Sequence, residues 1–168
     1  MTPADVLIDH FQRVADGVPD LVDGLSDDDL AWRPGPVANS IGWLVWHLLR
    51  VQDDHVADAA GRDQVWTGQG FAERFGLPFD DAATGWGQSA EEVAQVRVAA
   101  ELLVEYAAAV HAQSVDYISG LSGADLDRIV DERWDPPVTL GVRLVSVVDD
   151  DAQHLGQAAY VRGLLTTR

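Results

Sequence analysis

The sequence contains no cysteine, and since every basic side chain other than histidine is an arginine, it contains no lysine either. These gaps exclude an internal thiolate nucleophile, a disulfide, a Cys-ligated zinc and Schiff-base catalysis. Any thiol chemistry must use a thiol supplied from outside. Positive charge is scarce: 11 basic residues face 28 acidic ones, a formal charge of -17. The arginines are scattered, so nucleic acid and anionic membrane surfaces are not expected partners. Long apolar runs are missing as well. The best candidate, Ile41 to Val51, is interrupted by His47 and Arg50 and falls short of the roughly 20 residues a membrane span needs. Met1-Thr2-Pro3-Ala4-Asp5 lacks the basic and apolar regions of a secretory signal, so the expected location is cytoplasmic.

With 168 residues, 47% hydrophobic and 23% charged, the chain has the balance of one globular domain spanning residues 1–168. Alternating strand patterns are nearly absent, whereas helix-start signals recur. Thr2-Pro3-Ala4-Asp5 caps an amphipathic helix over about 3–23. Asn39 or Ser40 opens a Leu- and Trp-rich helix over about 40–60. Ser89-Ala90-Glu91-Glu92 is a capping box for helical sequence over about 89–119, with room for an interruption. Thr139 caps a last helix over about 139–165. These predict an all-α four-helix bundle. Residues 61–88, rich in glycine and carrying Trp66, Phe71, Phe75 and Trp86, form a long crossover. Their aromatics either cover a pocket or pin the crossover to the bundle, the second being the plainer reading.

Chemistry concentrates on two helices. Asp150 and His154 are four apart, hence one turn apart on one helix face and able to grip a single ion. His47 lies inside Trp43-Leu44-Val45-Trp46-His47-Leu48-Leu49, where a buried imidazole requires a partner. It is either a hydrogen-bonded core residue or the third ligand of a divalent ion. Two imidazoles and a carboxylate suit zinc, nickel, iron or manganese and leave coordination positions for substrate. Asp149-Asp150-Asp151 is either a solvated patch or holds a ligand, and only Asp150 shares the stripe with His154. Gln157 continues that face, while Gly156 is expected to permit close helix approach. Asp54 and His55, seven and eight residues after His47, lie near the same helix face and either support a ligand or touch substrate, or else belong to a solvated helix end, the plainer reading. His10 and His111 receive no role.

Trp32-Arg33-Pro34, Asn39-Ser40-Ile41-Gly42-Trp43-Leu44-Val45-Trp46-His47-Leu48, Tyr106 to His111 and His154-Leu155-Gly156-Gln157 together resemble the DinB-like superfamily. More narrowly, they resemble the actinobacterial mycothiol S-transferases. The resemblance implies a metal-binding four-helix bundle with one histidine ligand on the second helix and two, four apart, on the fourth. His47 and His154 match. Asp150 stands where a histidine is usual, as in the carboxylate-containing triad of mycothiol-dependent maleylpyruvate isomerase. The implied activity is S-transfer, with mycothiol activated as a metal-bound thiolate for attack on a small electrophile. Zinc is the first choice of metal. A metal-dependent hydrolase and a non-catalytic metal-binding stress-response module are the alternatives, and a homodimer is left open.

Overall fold

A computed structural model describes residues 1–166 and is dominated by helices. Helix α1 (Pro3–Val22) begins as its sequence dictates. The Thr2 hydroxyl accepts from the Asp5 amide, and the Asp5 carboxylate accepts from the Thr2 amide, which satisfies two otherwise free N-terminal donors. Its buried stripe of Phe11, Val14, Val18 and Leu21 repeats every three or four residues. A short α2 (Asp27–Ala31) with its own capping box leads to α3 (Ile41–Ala60), capped by Ser40. The crossover carries α4 (Val65–Gly68) and α5 (Phe71–Phe75), and α6 (Ala90–Val93) precedes α7 (Ala100–Ser119). After a 3-10 turn at Gly123–Asp127, strands β1 (Ile129–Asp131) and β2 (Val138–Thr139) pair antiparallel and deliver the chain to α8 (Leu140–Leu165).

The four long helices pack cyclically. Helix α3 lies between α7 and α8, and so does α1, making α1 and α3 the diagonal pair. The expected bundle and its long crossover are therefore present. Helix α3 is buried on nearly every face, which a bundle alone does not achieve. The crossover closes its outer side: Trp66, Phe71 and Phe75 are buried, and Trp46 meets Trp66 and Phe79 edge to face or tilted. The pinning role expected of the crossover aromatics holds for these residues.

The expected helix over 89–119 is two helices separated by an extended stretch. Val96 and Val98 are both buried while Arg97 points out to an ion pair with Asp28. Alternate burial of this kind belongs to extended chain, because residues two apart do not share a helix face. Gly42 makes room for the segment. A Cβ there would lie 3.1 Å from a Val98 methyl and 3.2 Å from the Leu30 carbonyl oxygen. Among the described residues, no helix is long and apolar enough to cross a membrane.

Candidate metal centre

His47 projects from the middle of α3 and is only 4% exposed. Its Nδ1 lies 2.5 Å from the Thr84 carbonyl oxygen. A carbonyl can only accept, so Nδ1 carries the proton and Nε2 keeps its lone pair. The Trp43 ring stacks on the imidazole, with centroids 4.6 Å apart and an interplanar angle of 19°. Gly85 closes the other contact with φ of +95°, a conformation in which a side chain is strained. A Cβ there would lie 2.8 Å from His47 Nδ1 and 3.1 Å from Trp43 and Trp46. The crossover thus fixes the tautomer and orientation of the histidine on α3.

Asp150 and His154 face this ring from α8. His154 Nε2 is 3.5 Å from Asp150 Oδ1, and its Nδ1 is 3.0 Å from Gln157 Oε1. The two imidazole centroids are 4.8 Å apart. Among the described residues, one set of three ligand-type side chains converges: each of His47, Asp150 and His154 offers an atom within 4.8 Å of the others. Asp150 Oδ2 is buried without a hydrogen-bond partner, and a cation would relieve that unmet demand. Two imidazoles anchored at Nδ1 and one carboxylate with a free oxygen form a donor set that fits a divalent ion of the zinc type. Burial lowers the pKa of His47, with His154 nearby adding to the effect, while the hydrogen bond to Asp150 raises that of His154.

A cavity of about 540 Å³ begins at His47 and Asp150. Val51, Val138 and Val142 form apolar wall, and Trp86 and Trp134 stand at its rim, 90% and 65% exposed. The crossover aromatics therefore divide between two roles, since Trp86 lies beside the cavity while the others enter the core.

Two expectations are corrected. Asp54 and His55 are not a solvated helix end: both side chains are about two-thirds covered and line this cavity. Arg143 Nη1 donates to His55 Nδ1 at 2.7 Å, and Gln64 donates to Asp54 at 2.8 Å. Nor does Gly156 permit close helix approach, since a Cβ there would meet nothing within 4 Å. Instead Gly17 on α1 faces α8, where Leu155 lies 3.0 Å from its would-be Cβ. Of the neighbouring aspartates, Asp151 is fully buried with both oxygens unpartnered, and burial raises its pKa strongly.

Sequence reasoning missed Thr84, Gly85 and Arg50. Thr84-Gly85-Trp86-Gly87, an aromatic between two glycines, is the signal of a tight backbone approach there. Arg50 is fully buried. It donates to the Asp81 and Ala83 carbonyls and to Gln64, and lies 3.6 Å from Asp53. Asp53 also accepts from Tyr106 and from the Val65 and Trp66 amides. This network ties the crossover to α3 next to the His47 contact.

A family model described as mycothiol-S-transferase matches residues 6–167. The crystal structure of a conserved protein from Enterococcus faecalis superposes with a TM-score of 0.92 at 31% sequence identity, covering 100% of this chain and 99% of that one. No curated protein matches the chain.

Proposed function

Because the chain belongs to the mycothiol-S-transferase family, we propose that it is a metal-dependent thiol S-transferase joining mycothiol to a small electrophile. The observation that carries this reading is the convergence of His47, Asp150 and His154, two of which, His47 and Asp150, line an open cavity. A divalent ion, zinc in this reading, would supply Lewis acidity that favours thiolate near neutral pH, where a free thiol with pKa of about 8.5 is mostly protonated. His47 and His154 would hold the ion through Nε2, and Asp150 would hold it through the carboxylate. Nickel, iron or manganese suits the same donors.

The chain's own residues do the rest. Thr84 and Gln157 hold the two imidazoles so that neither turns its protonated nitrogen inward. The wall of Val51, Val138 and Val142 excludes water around the sulfur and offers apolar surface to the electrophile. In the reaction a carbon–sulfur bond forms, the thiol proton goes to solvent, and a leaving group or π-electron pair departs from the attacked carbon. The absence of cysteine agrees with a thiol brought in as cosubstrate. The whole chain acts as one domain in this reading, in the cytoplasm, where low-molecular-weight thiols stay reduced.

The test is to incubate purified protein with mycothiol and a thiol-reactive fluorogenic electrophile, with and without chelator, beside the His154→Ala variant. Metal-dependent conjugation lost in the variant is the expected result. Thiol-independent turnover would favour the hydrolase, and equal rates in every sample would favour a non-catalytic module.

A further inference from the structure

Trp43 touches both imidazoles of the ligand set. It stands four residues before His47 on α3, hence on the same helix face. Its ring stacks on the His47 imidazole, and the His154 ring meets it edge to face, with centroids 6.3 Å apart and planes at 88°. One indole therefore lies against two side chains that arrive from different helices. Its own freedom is small. Trp43 is buried, its Nε1–H donates to Gln88 Oε1 at 2.7 Å, and a Cβ on Gly85 would lie 3.1 Å from its six-membered ring. Gln88 is itself placed by a turn, since its amide donates to the Gly85 carbonyl at 3.2 Å. The crossover thus grips the stacked pair from both sides of that turn, Thr84 holding the imidazole and Gln88 the indole.

Steric support alone would ask only for a large apolar side chain in place of Trp43. The stacked geometry supplies something more. An indole face carries negative potential and attracts positive charge within about 6 Å of its centroid. His47 in its neutral form, with the proton on Nδ1, gains little from that face. Once the Nε2 lone pair is given to a divalent ion, the imidazole takes on part of the positive charge, and the indole favours that state over the metal-free one. Donation from Nε1–H to Gln88 polarises the indole and strengthens the effect. An interaction that differs between two states in this way shifts the equilibrium between them.

We propose that Trp43 is a positioning residue that raises metal affinity through His47, with Gln88 as its anchor. The proposal rests on the metal reading of His47, Asp150 and His154 and is independent of which thiol or electrophile is used.

The test is titration of the metal-free protein with zinc in competition with a chromophoric chelator, and with cobalt(II) followed by visible absorption. Trp43→Leu should weaken zinc binding about tenfold or more and change the cobalt(II) spectrum, which reports ligand geometry. Trp43→Phe keeps a ring with a weaker face and no N–H, and should lose less. Gln88→Leu, which removes only the anchor, should also lose less. Phe71→Leu, which loosens the packing of the crossover on Tyr106, should lower the urea midpoint while zinc affinity stays at the wild-type value. Equal zinc affinity in wild type and the Trp43 variants, or an equal loss in Phe71→Leu, would overturn the proposal. If Trp43→Leu does not fold, wild-type affinity in both Trp43→Phe and Gln88→Leu overturns it as well. A wild-type protein that binds no zinc would reject the metal reading and this inference together. Graded zinc affinity in a protein that transfers no thiol would sustain the inference and reject the transferase reading.

Discussion

The Nδ1–H of His47 donates to the carbonyl oxygen of Thr84, 37 residues further along the chain, at 2.5 Å. An α3 side chain is thus oriented by the backbone of the crossover as well as by the stacked Trp43 of its own helix. Altering the crossover should change the metal centre without touching a ligand.

Gly85→Ala is the sharpest form of that prediction. The φ of +95° disfavours any side chain, and the new Cβ would press on His47 at 2.8 Å. A stability loss of about 1–3 kcal/mol is expected, together with weaker metal binding. Urea denaturation and titration with zinc check the two effects separately. Full metal affinity in a variant that keeps its fold would show that the Thr84 contact does not orient His47.

Metal binding itself should be visible as stability. At free zinc about 100 times above its dissociation constant, folding should gain about 2.7 kcal/mol, raising the melting temperature of the wild-type protein. His47→Ala or His154→Ala should abolish that gain. Asp150→Ala should reduce it less, because water or another oxygen can replace a carboxylate ligand. A zinc-induced shift that survives in both histidine variants would move the site elsewhere.

Arg50→Met should cost about 3–5 kcal/mol, because it leaves the Asp53 carboxylate buried beside no cation. It also frees the Asp81 and Ala83 carbonyls. Denaturant midpoints measure the loss. A change under about 1 kcal/mol would mean that Tyr106 and the Val65 and Trp66 amides satisfy Asp53 without the arginine.

The pH dependence of the metal-free protein should carry a contribution from His55. Burial, followed by the charge of Arg143, lowers its pKa below 6.5 in the folded state. The unfolded chain therefore takes up a proton that the folded one resists. Stability from this group is fully present above about 6.5 and is lost as pH falls through that value toward the folded pKa. His55→Gln keeps an acceptor for Arg143 but does not titrate. The drop in urea midpoint from pH 7.5 to 5.5 should be smaller in the variant, and an equal drop would remove His55 from the explanation.

The helices were legible because their caps and apolar stripes are local. Thr2, Ser40, Ser89 and Thr139 each start a helix where sequence reasoning expects one. The break between Val93 and Ala100 was not, since Val96 and Val98 are buried by partners distant in sequence. His47, Asp150 and His154 could be named because ligand residue types, the i,i+4 spacing and a family resemblance agree. Their convergence within 4.8 Å is tertiary. Arg50 looked like an interruption of an apolar run, and its role emerges only when carbonyls more than thirty residues away fold over it. The β1–β2 pair escaped notice because strands of three and two residues are too short to show a period.

The buried Arg50 network changes the way the crossover should behave. A glycine-rich connector ordinarily retains freedom that a ligand must quench on binding. Here the Asp81 and Ala83 carbonyls of that connector are held by a guanidinium in the protein interior, so the segment loses that freedom during folding. The hydrogen-bonded amides of Ala83 and Gln88 should exchange with solvent more slowly than those of an unrestrained surface loop. The centre at His47 would then meet its ligands as a preorganised wall, and the cost of shaping it would enter the folding equilibrium, not the affinity.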